Sequence, residues 1–497
     1  MEPETEPTAK SDAPAAPHPS RAVRVGLSGK LLLLTVVFVM RHCYFYGDDF
    51  SGFLLAYTEH FWHSVMYPVG GQVVPLARVV NYTFIHVVRL RYWAAVATLC
   101  AFHAVGMVYL YRTLNAMRPS PLNAVLVALY ACYVHTWVQL GWWIAGVERV
   151  PFVAFASMAL YHYVRYGQTR ARRDLIAVCV CDLAALGFYS KGLLVPLYMV
   201  GLDVARFPSS ELRARFRTFV VPWLTAAGLL VAGGLGSVIE HHVAGTLASA
   251  LGGSPTWKVL AFTKLGLLSF AHSVFGVSMS ADAHAPTAVI VALWLLLVGY
   301  TSYRAPRALI AWAVLFVLVL VNVVMIGVSN RVAVFGLVMA FEVRYYWELC
   351  FFSCLLVGVV LHQVPTTTWE ARWLRGMPRP ATDALVAGLL TLYAAVSYRG
   401  FSTGALSALD AMPRTRAFME NLSADLRRLN SKESPVKLED GFVPGYIVGL
   451  DFTFERSSQL LFLMGERIAY SLPGAAEYRV GEDGHLVRLR AKKSHAR

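Results

Sequence analysis

Charge is scarce in this chain, and negative charge is scarcer still. Only 15% of the 497 residues are charged, and 30 Asp and Glu stand against 44 Lys and Arg, a formal net charge of +14. Soluble domains carry roughly 25% charged residues, so a chain this poor in charge and 57% apolar lacks the surface of a water-soluble fold. Its apolar runs of about 20 residues point to an all-α polytopic membrane protein. The basic excess sits in short loops between those runs, so it reads as topology and excludes a nucleic-acid partner. The seven cysteines (43, 100, 132, 179, 181, 350 and 354) all fall in apolar runs, which excludes a disulfide framework. Cys179 and Cys181 are two apart on an expected helix and face different ways, a poor metal site. No 20–50-residue repeat is present, which excludes a solenoid. Residues 1–24 lack a small-residue cleavage site and are rich in Pro, Ala and Glu. They read as a disordered cytosolic tail.

Loop arginines set the topology. With Arg21 and Arg24 inside, a first span over Gly26–Phe45 exits at Asp48, and residues 47–92 form a long outer loop. Within that loop Val73–Val88 reads as an interfacial helix, because Arg78, Asn81 and His86 interrupt its apolar face. Spans follow at Trp93–Leu114, Leu122–Leu140, Val150–Tyr166, Leu175–Phe188, Leu193–Ala205 and Phe219–Ile239. Lys258–Met279 is a fork: as a span it would put the Arg304–Arg307 loop outside, so an interfacial or re-entrant segment is the expectation. Further spans at Thr287–Tyr303, Ala308–Val328, Tyr345–Gln363 and Ala381–Ser397 bring the expected total to about eleven. The transmembrane domain thus covers 25–399, and 400–497 forms a small outer-facing α+β domain or tail. In it a helix is expected at Arg414–Leu429 and strands near Tyr446, Leu461 and Leu486.

The chain is organised around Tyr46-Gly47-Asp48-Asp49-Phe50, at the end of the first span. Two adjacent carboxylates at a membrane boundary are costly unless they meet water, a cation or a substrate. Neighbouring helical residues point about 100° apart, so one of the pair faces a site while the other caps, pairs or meets solvent. The plain alternative is an interfacial helix terminus. Under the loop-arginine topology, Glu59, His60, His63, Gln72, Arg78, Glu148, Arg149, Lys191, Glu342 and Arg344 fall on the same side. Carboxylates beside separated cations suit one chemistry: a carboxylate takes an acceptor's proton while fixed cations hold a departing phosphate. His60 and His63 share a helix face and could hold a metal with Asp48, or be ordinary interfacial side chains. Glu148-Arg149 could be a surface pair, Lys191 and Arg344 interfacial anchors, and Trp142-Trp143 an aromatic belt or a sugar platform. Asn81-Tyr82-Thr83 and Asn421-Leu422-Ser423 fit the short N-glycosylation pattern.

These residues resemble the GT-C membrane glycosyltransferases, among them protein O-mannosyltransferases, aminoarabinose transferases and arabinofuranosyltransferases. The acidic pair after the first span and the long first outer loop carry the resemblance. Gln72-Val73-Val74-Pro75-Leu76 with Arg78, Asn81 and His103 is similar to the family's W-x-P-L … H region. Phe188-Tyr189-Ser190-Lys191-Gly192 resembles its S-K-E turn, with Gly192 in place of the acidic residue, and Arg344-Tyr345-Tyr346 resembles its late R-Y element. The likeness is fullest over 27–205.

The resemblance implies a polyprenyl-phosphate sugar donor, inversion at the anomeric carbon, and a glycan, lipid or protein acceptor. It implies Asp49 as general base with Asp48 as second choice, and Lys191, Arg344 and Arg149 on the leaving phosphate. Glu59, His60, His63, Gln72, Arg78 and Trp142 would then line the acceptor or sugar side. Family members differ in their use of a divalent cation, so that cofactor stays open. Ala/Val/Arg-rich composition points to a bacterial cytoplasmic membrane, with the site facing outward. Three other classes remain: a lipid-linked polysaccharide polymerase or ligase, which would not need the acidic pair; a transporter or channel, which would need polar residues along a mid-span path; and a non-catalytic scaffold, whose outer carboxylates would be freely replaceable.

Overall fold

The computed structural model describes residues 36–67, 73–213, 256–277, 287–328, 336–342, 345–365, 379–404, 406–430, 436–448, 455–464, 468–471 and 476–489, with a few single positions beside these. Half of the expected first span, most of the span at Phe219–Ile239, and both Gln72 and Arg344 lie outside the described residues.

The chain is mostly helical. Three short helices follow the first apolar run: α1 (Asp48–Thr58), α2 (Phe61–Met66) and α3 (Pro75–Val87). Pro75 opens α3, where a missing N–H costs nothing because the first turn has no acceptor for it. Then come α4 (Tyr92–Met117), α5 (Leu122–Ala131), α6 (Val134–Gly141), α7 (Trp143–Thr169), α8 (Arg172–Phe188), a 3-10 turn at Ser190–Leu194 and α9 (Val195–Arg206). Further along are α10 (Thr256–Val274), α11 (Thr287–Arg304), α12 (Ala308–Gly327), α13 (Trp347–Gln363), α14 (Arg379–Gly404) and α15 (Leu406–Asn430).

Four helices among the described residues are long and apolar enough to cross a membrane: α4, α7, α11 and α12. The pair α5–α6 makes a fifth if counted as one element, but it is bent by 54°. The stretch expected as a single straight span, Leu122–Leu140, is therefore two helices set at an angle. Helix α7 also starts earlier than expected, at Trp143 rather than Val150, so Glu148 and Arg149 lie inside a helix and not in a loop. Gly146 permits this close α6–α7 packing, because a Cβ there would stand 2.2 Å from the Gln139 carbonyl oxygen. The Lys258–Met279 stretch is helical as far as Val274, in α10, which packs against α12.

Beyond α15 the chain forms a four-stranded mixed sheet in the order β2-β1-β3-β4: β1 (Val436–Glu439), β2 (Ile468–Ser471), β3 (Tyr478–Val480) and β4 (Leu486–Arg488). Strand β1 runs parallel to β2 and β3, and β4 closes the edge antiparallel to β3. Tyr446 and Leu461, expected in strands, lie instead in the short helices α16 (Gly445–Val448) and α17 (Ser457–Met464). This unit is seated on the segment that leads into α1. The Ile447 carbonyl accepts the Gly47 N–H at 2.9 Å, and the Phe462 ring meets Tyr57 edge-on at 4.9 Å. Arg416 donates to the carbonyls of Arg41 and Cys43 and lies over the Tyr44 and Tyr92 rings.

Candidate active site

The acidic turn is fixed by backbone geometry first. Gly47 has φ 54°, a conformation that L side chains rarely adopt, and it turns the chain into α1 with Asp48 and Asp49 in the first helical turn. Asp49 is fully buried. Its Oδ2 accepts the Tyr46 N–H at 3.0 Å and its Oδ1 accepts the Ile144 N–H at 2.7 Å. Ile144 is the second residue of α7, whose first N–H groups have no acceptor within the helix. Asp49 thus caps α7 from a distant part of the chain, at the positive end of that helix. Burial pushes its carboxyl up to about 8, although the Ile144 and Tyr46 N–H groups pull it down. Asp48 is only half-buried.

The head of α7 is braced from α3. Asn81 donates to the Gly52 carbonyl at 2.9 Å and accepts the Trp143 indole N–H at 2.8 Å, so both ends of its buried amide are used. That buried position in the middle of α3 is not an exposed acceptor loop for glycosylation. Trp143 is buried against Phe53 and Phe84 and is core, not interfacial belt. Trp142 is also buried and meets Tyr46 edge-on. One turn before Asn81, Arg78 is buried, and its Nε and Nη2 find no hydrogen-bond partner among the described residues. Burial pushes its guanidinium down from its ordinary value, while Glu148 on α7 pulls it back.

Five residues beyond Ile144, about 7.5 Å along the α7 axis, Arg149 enters a second cluster. It is 3% exposed and packs over the rings of Tyr189 and Tyr345, at 5.4 and 5.0 Å. Its Nε and Nη1 have no hydrogen-bond partner among the described residues. Lys191 reaches the same place from the 3-10 turn after α8. It is 5% exposed, pairs with Glu348 at the head of α13, and lies 3.5 Å from the Tyr345 carbonyl oxygen. The turn is tight because Gly192 crosses the end of α8, where a Cβ would stand 2.4 Å from the Leu186 Cα. No side chain of any kind fits there, which explains the absent acidic residue after Lys191.

Glu348 is fully buried, and its Oε2 has no partner among the described residues. Two cations therefore share one carboxylate inside the bundle. Lone buried charges are strongly disfavoured, so a cluster with a positive excess and unused guanidinium donors is suited to an anion.

The structure thus brings Arg149 and Lys191 together, and links Asp48, Asp49 and Arg78 to the head of the same helix. It leaves others apart. Glu59, His60 and His63 stand at the far end of α1, about 16 Å along the axis from Asp48; His60 and His63 are exposed, and His63 pairs with Glu59 at 3.0 Å. No three His, Cys, Asp or Glu side chains converge as metal ligands among the described residues, so Asp48, His60 and His63 are not assembled into such a site. Glu348 was missed by sequence reasoning. It was legible as the one carboxylate in the apolar run Tyr345–Gln363.

Comparison with known proteins adds a likeness in structure. The chain is similar to ArnT from Cupriavidus metallidurans bound to undecaprenyl phosphate, at 12% identity and a TM-score of 0.49, over 91% of this chain and 86% of that one. It is likewise similar to the apo state of that ArnT, at 13% identity and a TM-score of 0.48, over 91% of this chain and 90% of that one. No protein-family model matches the chain, and no curated protein matches its sequence.

Proposed function

We propose that the protein is a GT-C-type membrane glycosyltransferase that moves a sugar from a polyprenyl phosphate to an acceptor hydroxyl, with inversion. The observation that carries this reading is the buried Arg149–Lys191–Glu348 cluster, with two cations against one carboxylate, one and a half turns along α7 from the acidic turn. The chain's own residues support the reading; the likeness to ArnT does not decide it.

In this mechanism the acceptor oxygen attacks the anomeric carbon from the face opposite the phosphate. The bond from that carbon to the phosphate oxygen breaks, and the polyprenyl phosphate leaves with both electrons. Arg149 and Lys191 hold its negative charge, in a site where exclusion of water strengthens them. Asp48 takes the acceptor's proton. We assign this role to Asp48 rather than Asp49 because each Asp49 oxygen already accepts a backbone N–H and none of the residue is exposed. Asp49 is a positioning residue: it ties the acidic turn to the head of α7. Arg78, buried beside Glu148, lines the acceptor side. Arg344 would join the cations on the phosphate. The acceptor site would face out of a bacterial cytoplasmic membrane.

The test is release of free polyprenyl phosphate, read by mass spectrometry, from a panel of polyprenyl-phosphate monosaccharides offered with candidate acceptors. Wild type releases it from one donor, and Asp48→Asn, folded to the same extent, does not. Release by Asp48→Asn at the wild-type rate would remove Asp48 from the chemistry. Turnover of a pyrophosphate-linked oligosaccharide in place of the monophosphate donors would replace this reading with a polymerase.

A further inference from the structure

A continuous ladder of rings lies on the surface at the far end of α1. Tyr82 and His86 are four residues apart on α3, so they share a face, and their rings stack at 4.1 Å. Tyr57, from the last turn of α1, stacks on His86 at 5.2 Å, and Phe462 from α17 meets Tyr57 edge-on at 4.9 Å. On the other side Phe61 meets Tyr82 at 5.1 Å and Trp62 meets Phe61 at 5.0 Å, both from α2. The ends of the ladder are open: Trp62 is 74% exposed and Phe462 48%. His86 is exposed, and Tyr57, Phe61 and Tyr82 are half-buried. Rings left in solvent to this extent add little to a core, and a contiguous exposed apolar patch with a polar rim marks an interaction surface.

The edges of the ladder are polar. The Tyr82 carbonyl oxygen can only accept, so His86 Nδ1 donates to it at 2.9 Å, and Nε2 of the neutral ring is left to accept. Glu59 and His63, which flank Phe61 and Trp62 in the chain, pair at 3.0 Å, and Thr83 beside Tyr82 is exposed. The exposed face of the spanning helix α11 is of another kind. It presents Val289, Leu295 and Leu296, and its one charged residue is the terminal Arg304. That aliphatic face suits lipid chains, whereas acyl chains laid on the ladder would strip water from the Glu59 carboxylate and the imidazoles with nothing in return.

We infer that the ladder is a docking platform for a saccharide chain, the acceptor of the proposed transfer. The face of an aromatic ring is electron-rich, and one face of a pyranose is lined by C–H groups that carry partial positive charge. Such a face lies flat on the rings while its hydroxyls reach the polar edges. Tyr57 follows Asp48 by nine residues on α1, about 14 Å along the axis, so one helix sets the distance from the platform to the acidic turn. The C-terminal unit touches both ends of that helix, Phe462 at Tyr57 and the Ile447 carbonyl at the Gly47 N–H. The word acceptor rests on the proposed function; binding of the saccharide does not.

The experiment uses the full chain in phosphatidylcholine nanodiscs. Maltohexaose, cellohexaose and mannohexaose are titrated separately by calorimetry, and contact is read by NMR saturation transfer from aromatic protons to sugar C–H groups. Ring faces are tolerant of sugar identity, so at least one of the three binds and shows transfer. Trp62→Ala and Phe462→Ala, at opposite ends of the ladder, keep the wild-type melting temperature and each weaken binding about 10-fold. Trp62→Phe restores it. With the bound hexasaccharide as acceptor, the two alanine variants raise its KM and leave kcat unchanged. Binding of none of the three, or wild-type binding by both alanine variants, overturns the inference. Quenching by brominated lipid that disappears in Trp62→Phe would overturn it too, because the ladder would then be a membrane belt. Saccharide binding without turnover of any donor keeps the platform and refutes the transfer; turnover without saccharide binding refutes the platform alone.

Discussion

Removing one partner of the Lys191–Glu348 pair tests whether the buried cluster is built for a ligand. Lys191 is 5% exposed and Glu348 is fully buried. A pair about 4 Å apart at an effective dielectric of 20 gains roughly 4 kcal/mol. Taking both charges out of water cancels most of that gain, so the intact pair contributes little net stability. Breaking it is another matter. Glu348→Gln leaves Lys191 and Arg149 as two buried cations without a counter-charge, and Lys191→Met leaves Glu348 to Arg149 alone. Glu348→Gln is expected to lose about 3–5 kcal/mol, and Lys191→Met less, because Arg149 still faces the carboxylate. The double variant Lys191→Met/Glu348→Gln keeps the wild-type excess of one cation, Arg149, and is expected to lose less than Glu348→Gln alone, with the coupling appearing as strong non-additivity. The assay is reversible unfolding in mixed micelles, with folded fraction read by gel filtration. Losses that add to within about 0.5 kcal/mol would show that the two charges do not feel each other and would refute the cluster. The double variant also separates stability from function. It should fold yet release polyprenyl phosphate at least ~100-fold more slowly, the scale seen when one preorganised donor to a developing anion is lost. Wild-type turnover in a folded double variant would reduce the pair to a structural element.

Asp48→Asn is expected to lower turnover by about 10²–10⁴-fold with an unchanged melting temperature, measured on one preparation by product release and thermal unfolding. Asp49 differs, because burial raises its carboxyl to about 8 in the folded chain. Between the unfolded value, near 3.9, and 8, the folded state holds a proton that the unfolded state has lost. Stability from this group is therefore full at low pH and falls as pH rises through that window. Asp49→Asn cannot titrate, so its melting temperature should gain on wild type from pH 5 to pH 8; a constant difference would show that Asp49 does not titrate there. Gly192→Ala places a Cβ 2.4 Å from the Leu186 Cα, so backbone must shift, and a loss of about 1–3 kcal/mol or failure to fold is expected by the same unfolding assay. Wild-type stability would mean that the turn is looser than described.

The sequence carried the class of the protein more clearly than its detail. Apolar runs and loop arginines identify helical spans because length and hydrophobicity alone decide insertion. They place boundaries poorly where polar side chains are buried inside a helix. Glu148 and Arg149 read as a loop by charge, yet Arg149 packs over two tyrosine faces that come from 40 and 196 residues further along the chain. Trp142-Trp143 read as belt because indoles favour interfaces, yet Trp143 has its N–H met by Asn81 and so can be buried. Tyr446 and Leu461 have the side chains of strand residues, and their packing against α1 and α15 decides for helix. Asp48, Asp49 and Lys191 were legible because local sequence alone marks charge at the end of an apolar run. Which of the two carboxylates stays accessible was not, since it depends on the Ile144 N–H, 95 residues away.

The same logic explains why Lys191 lacks an acidic neighbour in sequence. The turn brings Gly192 onto the backbone of α8, and that contact leaves no room for a carboxylate there. A buried ammonium still needs a counter-charge, and Glu348 supplies it from the head of α13, across 157 residues. A local carboxylate would follow every movement of the turn. One on a separate helix makes the pair depend on how α13 packs against the α8–α9 corner. An arriving phosphate that draws Lys191 away from Glu348 would then be felt at that packing interface. Arg149, held between Tyr189 from one side and Tyr345 from the other, would register the same shift. Under the proposed function, the charge that would bind the donor and the helix contact between α13 and the α8–α9 corner are in this way a single piece of the fold.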